Sequence, residues 1–127
     1  MRRIAKGLLS IVFGLSVLGY PERGMAWTQG DSWWEGAYLI LHVMDWGQTR
    51  DISTRCRIGE YRELNPVLGA CPATQRVNQY FLATAALHAG LTYVLPTDMR
   101  RMFQVGTIGL QFSVVNSNAQ IGLNIAF

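Results

Sequence analysis

The sequence predicts a mainly α-helical protein, a small bundle of three apolar helices after an N-terminal signal or anchor helix, ending in a short C-terminal strand or extension. Three observations carry this. Half of the 127 residues are apolar and 15% are charged, against about 25% charged in an average soluble domain, which excludes a disordered chain. Three long stretches are nearly free of charge, and each places its polar residues at steps of three or four, the spacing of one helix face. The length suits one domain and not two.

Residues 1–26 read as an export segment. Residues 1–6 hold Arg2, Arg3 and Lys6, residues 7–19 carry no charge, and Tyr20-Pro21 breaks the run. Thirteen apolar residues make a signal-peptide core and fall short of a span. Gly24-Met25-Ala26 offers small residues for cleavage before Trp27, while Glu22 and Arg23 suit an uncleaved anchor. The formal charge of +3 also sits here, because Arg2, Arg3, Lys6 and Arg23 oppose only Glu22, and residues 27–127 hold seven Arg against seven acidic side chains. A neutral body removes the reason to expect a nucleic-acid partner.

Residues 27–127 form one domain with three apolar segments. Segment A covers residues 32–49, capped by Asp31 or Ser32, and lines up Asp31, Glu35, Tyr38, His42, Asp45 and Thr49 in one stripe. Segment B covers residues 75–95 after Pro72 and stops at Pro96, with Asn78, Ala85, His88 and Thr92 on one face and Thr84 one turn before His88. Segment C starts near Asp98 and carries Gln104, Thr107, Gln111 and Asn118 on one face. In water such stripes face out. The other faces of segments B and C then lack the Lys and Glu a soluble surface needs, so a membrane-integrated bundle with inward stripes fits better than a compact periplasmic domain. Gly90, Gly106 and Gly109 would let such helices approach closely. Segment A is the weak element, with nine residues between Glu35 and Asp45, whereas a span takes about twenty. The alternation of Ala119, Ile121, Leu123, Ile125 and Phe127 has strand periodicity and is the basis of the C-terminal strand and of a minor β-rich reading.

Between segments A and B lies a polar loop, residues 50–76, with five Arg against three acidic residues and both cysteines, Cys56 and Cys71. An oxidising compartment would pair them. With the N-terminus inside and segment A spanning, however, an Arg-rich loop falls on the reducing cytoplasmic side, so that topology and the bridge exclude each other. Trp27, Trp33 and Trp34 crowd the start of segment A, as an interfacial aromatic belt would; a soluble core or a ligand platform are the alternatives.

Asp45, Gln48-Thr49-Arg50, then Glu63-x-Asn65-Pro66-x-x-Gly69 is the most distinctive pattern. Pro66 restricts Asn65 to extended geometry and Gly69 permits a turn. Over residues 45–127 the chain resembles small, functionally uncharacterised bacterial and phage envelope proteins in which an Asp-x-x-x-Thr helix end precedes a Glu-x-Asn-Pro loop. That resemblance implies a helical, membrane-associated fold and brings no activity with it; the cysteine pair stands outside the pattern. A structural polar network is therefore expected from Asp45, Thr49, Glu63, Asn65, His88, Gln104 and Gln111. The competing enzyme or metal-binding reading takes His42, Asp45, Glu63 and His88 as acid/base groups or ligands, but no H-E-x-x-H, C-x-x-C or G-x-S-x-G pattern accompanies them. Neither a metal nor a cofactor is expected. The sequence thus describes an exported protein of the bacterial envelope, at the inner membrane or in the periplasm, that works without catalysis through a lipid bilayer or an envelope partner. Holin-like lysis and exclusion of incoming phage or plasmid are rival roles.

Overall fold

The structure, a computed structural model, describes residues 26–127. The signal or anchor segment expected over residues 1–26 lies outside it, apart from Ala26. The described chain is a small helical bundle: α1 Gln29–Arg55, α2 Thr74–Val94 and α3 Thr97–Gln120, with one 3-10 turn at Cys56–Ile58.

Helix α1 starts three residues before the expected cap because Thr28 and Asp31 form a capping box. The Asp31 N–H donates to Thr28 Oγ1 at 3.1 Å and the Thr28 N–H to Asp31 Oδ2 at 2.9 Å, so two otherwise orphaned amides are satisfied. It also runs six residues past Thr49. Arg55 pairs with Asp51 one turn earlier at 2.9 Å, and the helix ends where Gly59 adopts φ 78°, which a side chain would resist. Helix α2 starts after Pro72 with Ala73 as N-cap, and Leu95-Pro96 alone joins it to α3.

The contacts fix an up-down-up bundle. Ser53 at the end of α1 meets Thr74 at the start of α2 at 2.9 Å, and Arg100 at the start of α3 meets Asp31 at the start of α1 at 2.7 Å. Helix α1 is central and packs on both partners, while α2 and α3 touch each other far less. Gly90, Gly106 and Gly109 do not mediate close approach; a Cβ at any of them would meet nothing within 4 Å.

The bundle is inverted relative to a soluble one. Among the described residues the buried set has seven apolar side chains against eleven polar or charged ones, including Asp31, Glu35, His42, His88, Arg100 and Gln104. Trp33, Ile40, Leu87, Met102, Leu110 and Phe112 are meanwhile exposed. The small apolar core, Leu68, Val77 and Phe81 with Trp46 and Tyr80 against it, sits only at the loop end. Among the described residues no helix is long and apolar enough to cross a membrane, so the three expected transmembrane helices do not stand as individual spans.

The C-terminal strand is absent. Ala119 and Gln120 are helical, and α3 is stopped by Gly122 at φ 90°, with the Leu123 N–H on Asn118 O at 3.1 Å. Residues 123–127 have no neighbouring strand to pair with and lie along α1 instead. The Asn124 N–H donates to Asp51 at 2.9 Å, the Ala126 N–H to Gly47 O at 3.2 Å, and Arg50 Nε to Ala126 O at 3.1 Å. The alternation places Leu123 inside, at 5% exposure.

Candidate functional site

The stripes of the three helices meet in layers along α1. In the layer nearest its start, Arg100 is fully buried and donates to Asp31 at 2.7 Å and to the carbonyls of Thr92 at 2.9 Å and Leu95 at 3.1 Å. One turn on, His88 Nδ1 lies 2.9 Å from Glu35 Oε1 and its Nε2 lies 2.8 Å from Thr107 Oγ1. The Thr107 hydroxyl also reaches Phe103 O at 2.8 Å. Thr107 gives its hydrogen to the Phe103 carbonyl, so its oxygen accepts from His88 Nε2, and the other ring nitrogen faces the Glu35 carboxyl. Tyr38 stacks on the imidazole with centroids 3.4 Å apart, and Phe103 covers its other face at 4.7 Å. Buried Glu35 Oε2 and Gln104 Oε1 have no hydrogen-bond partner, while Gln104 Nε2 donates to Asp31 O at 3.1 Å.

His42 occupies the next layer. Its Nε2 is 3.0 Å from the Phe81 carbonyl, which can only accept, so Nε2 carries the proton and Nδ1 accepts from the Tyr38 hydroxyl at 3.3 Å. Thr84 gives its own hydrogen to Tyr80 O at 2.8 Å and receives a second share of Nε2–H at 3.2 Å. Both histidines are thus locked in separate layers. His42, Asp45, Glu63 and His88 do not converge, and among the described residues no group of three or more His, Cys, Asp or Glu is placed to hold a metal.

Asp45, Thr49, Glu63 and Asn65, which the sequence reading singles out, do come together. They line a cleft of about 520 Å³ at the loop end, between the diverging α2 and α3 and under the loop that follows α1. The loop is prefolded by its own bonds. Asn65 O accepts from the Leu68 and Gly69 N–H groups at 3.1 Å, Asn65 Oδ1 from the Val67 N–H at 3.0 Å, and Glu63 Oε1 from the Asn65 N–H at 2.8 Å. Gly69 at φ 82° closes the turn, which is why that position takes glycine. Leu68 then drops onto Val77 and Phe81. The Cys56–Cys71 disulfide, with Cα atoms 5.5 Å apart, clamps the base of the loop. Arg55 anchors its start by gripping Glu60, whose carboxyl this contact holds below the usual carboxylate range.

On the cleft wall, Asp45 accepts from Gln111 at 2.7 Å and from Asn118 at 3.3 Å, and Asn118 also donates to Gln48 at 3.2 Å. Ser113 and Ser117 add hydroxyls, and Phe81, Val114 and Leu123 add apolar surface. Asp45 and Glu63 repel each other electrostatically, and neither has an ion-pair partner among the described residues. The site offers a fixed pair of carboxylates above an apolar trough.

The sequence reading missed Arg100. A cation in the first turn of α3 opposes the positive helix end, a signal that it needs a carboxylate elsewhere. It also missed that α2 and α3 diverge, which no local pattern encodes. No family model, curated protein or solved structure matches the chain.

Proposed function

We propose that this is an exported protein of the cell envelope that acts by contact and not by catalysis, with its bundle embedded in lipid as an assembled unit and its bridged loop presented at the surface. The observation that carries this is the inverted distribution of side chains. Exposed charge is absent from α1 over residues 32–49, from α2 over residues 77–94 and from α3 over residues 102–120. At about 1.5 Å per residue these belts are each about 27–29 Å tall, close to the roughly 30 Å hydrocarbon thickness of a bilayer. The charges gather at the two ends, Asp98 and Arg101 beyond one and Arg55, Arg57, Glu60 and Arg62 beyond the other. Each helix alone is too polar for lipid because its hydropathy counts the stripe. Pairing the stripes inside the bundle removes most of that surface from lipid and leaves mainly Leu, Ile, Val, Met and aromatic side chains outside, with Gln79, Asn116, Ser117 and Gln120 among the uncharged exceptions.

Two further features support the reading. Trp33 and Trp34 are exposed at the start of α1, with Arg101 over the Trp34 ring at 5.0 Å, as in an interfacial belt. The disulfide favours an oxidising side for the loop end. The motif resemblance to envelope proteins points the same way. The test is carbonate extraction of membranes from expressing cells, with N-terminal sequencing and non-reducing electrophoresis of the same sample. Retention in the carbonate pellet with an intact bridge is expected. Recovery in the soluble periplasmic fraction would overturn the embedding and leave a protein partner to cover the apolar exterior.

A further inference from the structure

Resting on the embedded reading, we propose that the cleft between α2 and α3 is a lipid site for a phospholipid with a primary-amine headgroup. The ammonium lies between Asp45 and Glu63, the phosphate faces Arg62, and an acyl chain follows the apolar trough.

Charge pairing singles out these two acids. Among the described residues Asp31 is paired with Arg100, Glu35 with His88, and both Asp51 and Glu60 with Arg55. Asp98 is exposed. Of the described acids only Asp45 and Glu63 are drawn from water with no cation among the described residues, and both line the same cleft. A buried or half-buried carboxylate without a counter-charge is costly, so a site that holds two beside each other is complementary to an incoming cation. Asp45 already accepts one amide hydrogen on each oxygen, which leaves lone pairs for an ammonium; Glu63 uses only Oε1, for the Asn65 N–H. A primary ammonium has three donors to give, whereas a quaternary one has none.

The rest of the cleft fits the rest of such a lipid. Arg62 also lines the cleft, is exposed, and has no ion-pair partner among the described residues, so a cation shares the cleft with the two anions, the pair of charges a zwitterionic headgroup carries. Below them Phe81, Val114, Ile121 and Leu123 form an apolar path, and Val114 and Ile121 are exposed where it leaves the bundle. The opening follows from α2 and α3 packing on α1 and hardly on each other, and the volume of about 520 Å³ lies within the ~300–1,000 Å³ of small-molecule sites. The cleft runs from the last turns of the belts to the loop that closes them.

The test is native mass spectrometry of the full chain in detergent, with dioleoyl-phosphatidylethanolamine, its choline counterpart and its glycerol counterpart added separately. The ethanolamine lipid is expected to bind at least about tenfold more tightly than the other two, a preference that Asp45→Asn with Glu63→Gln abolishes and Arg62→Gln weakens for all three. Circular dichroism and the intact bridge check folding of each variant. If the double variant fails to fold, Glu63→Gln alone, which keeps an acceptor for the Asn65 N–H, carries the test with a loss of severalfold. Equal binding of ethanolamine and choline lipids, or a preference that survives the carboxylate variants, overturns the proposal. So does full competition by millimolar ethanolamine, which would make this a soluble-amine site. A protein that stays in the carbonate pellet without lipid preference refutes the lipid site and leaves the embedding intact.

Discussion

Replacing Arg100 with Met should destabilise this bundle more than replacing its buried partner Asp31 with Asn. Arg100 is fully buried, with Asp31 2% exposed beside it. Met keeps the length and apolar volume of the stem and removes only the guanidinium. Asp31 is then left as a buried carboxylate, and the carbonyls of Thr92, Tyr93, Leu95 and Ala26 lose a donor. Breaking one side of a buried ion pair costs about 3–5 kcal/mol. Two features place this case near the lower bound. Arg101 stands 3.5 Å from Asp31 Oδ1 as a substitute cation, and the carboxylate keeps its capping bond from the Thr28 N–H. The expected loss for Arg100→Met is therefore about 3 kcal/mol. Asp31→Asn leaves Arg100 with its four carbonyls and keeps an acceptor for the cap, so it should cost about 1–2 kcal/mol. The assay is reversible denaturant unfolding in detergent followed by circular dichroism, with the double variant closing a thermodynamic cycle. A loss under 1 kcal/mol for Arg100→Met, or a larger loss for Asp31→Asn, would refute the reasoning that the guanidinium organises this end of the bundle.

Gly47→Ala would bring a Cβ to 2.5 Å from Ile125 Cγ2 and 3.2 Å from its Cα, so the tail must lift. A cost of about 1–3 kcal/mol and faster proteolysis after Gly122 are expected, and both should vanish in a chain ending at Leu123, where Ala becomes the better helix residue. Changing both Cys56 and Cys71 to Ser should lower stability by about 3 kcal/mol, the chain-entropy value for a loop of this size, read from denaturant midpoints with and without reductant. His42→Ala removes the bond to Phe81 O and the acceptor for the Tyr38 hydroxyl, and a loss of about 2–4 kcal/mol without any change in bound metal is expected, checked by unfolding and by elemental analysis. The depressed Glu60 carboxyl gives the loop a pH dependence of definite sign. Its contribution is complete above the ordinary Glu range and fades as pH falls through the lowered folded value, so amide protection around Tyr61, measured relative to the intrinsic exchange rate at each pH, should fall in acid, and Glu60→Gln should remove that dependence.

The helices were legible because their stripes were. Glu35, Tyr38 and His42 on α1, His88 and Thr92 on α2, and Gln104 and Gln111 on α3 recur at helical spacing, and all face inward. Helix ends were less legible. The Thr28 capping box and the Asp51–Arg55 pair lengthen α1 by short-range bonds that compete with a reading based on apolar runs. The alternation over residues 119–127 misleads because a strand needs a partner, and the three helices leave it only the Gly47 carbonyl and polar side chains. Of the site, the Asp45 and Glu63 motif was readable and its cleft was not, since a cavity is the space left where α2 and α3 part.

The sequence by itself determined that three helices form, that each sorts polar from apolar residues around its axis, and that two cysteines stand fifteen positions apart in the one polar loop. Local periodicity and turn chemistry suffice for that. Only the tertiary structure decided which buried charge meets which. Glu35 finds His88, Asp31 finds Arg100, and Asp45 and Glu63 find no cation among the described residues. The physical reason is that a side chain's counter-charge is set by the register and splay of helices distant in sequence, which no window along the chain contains.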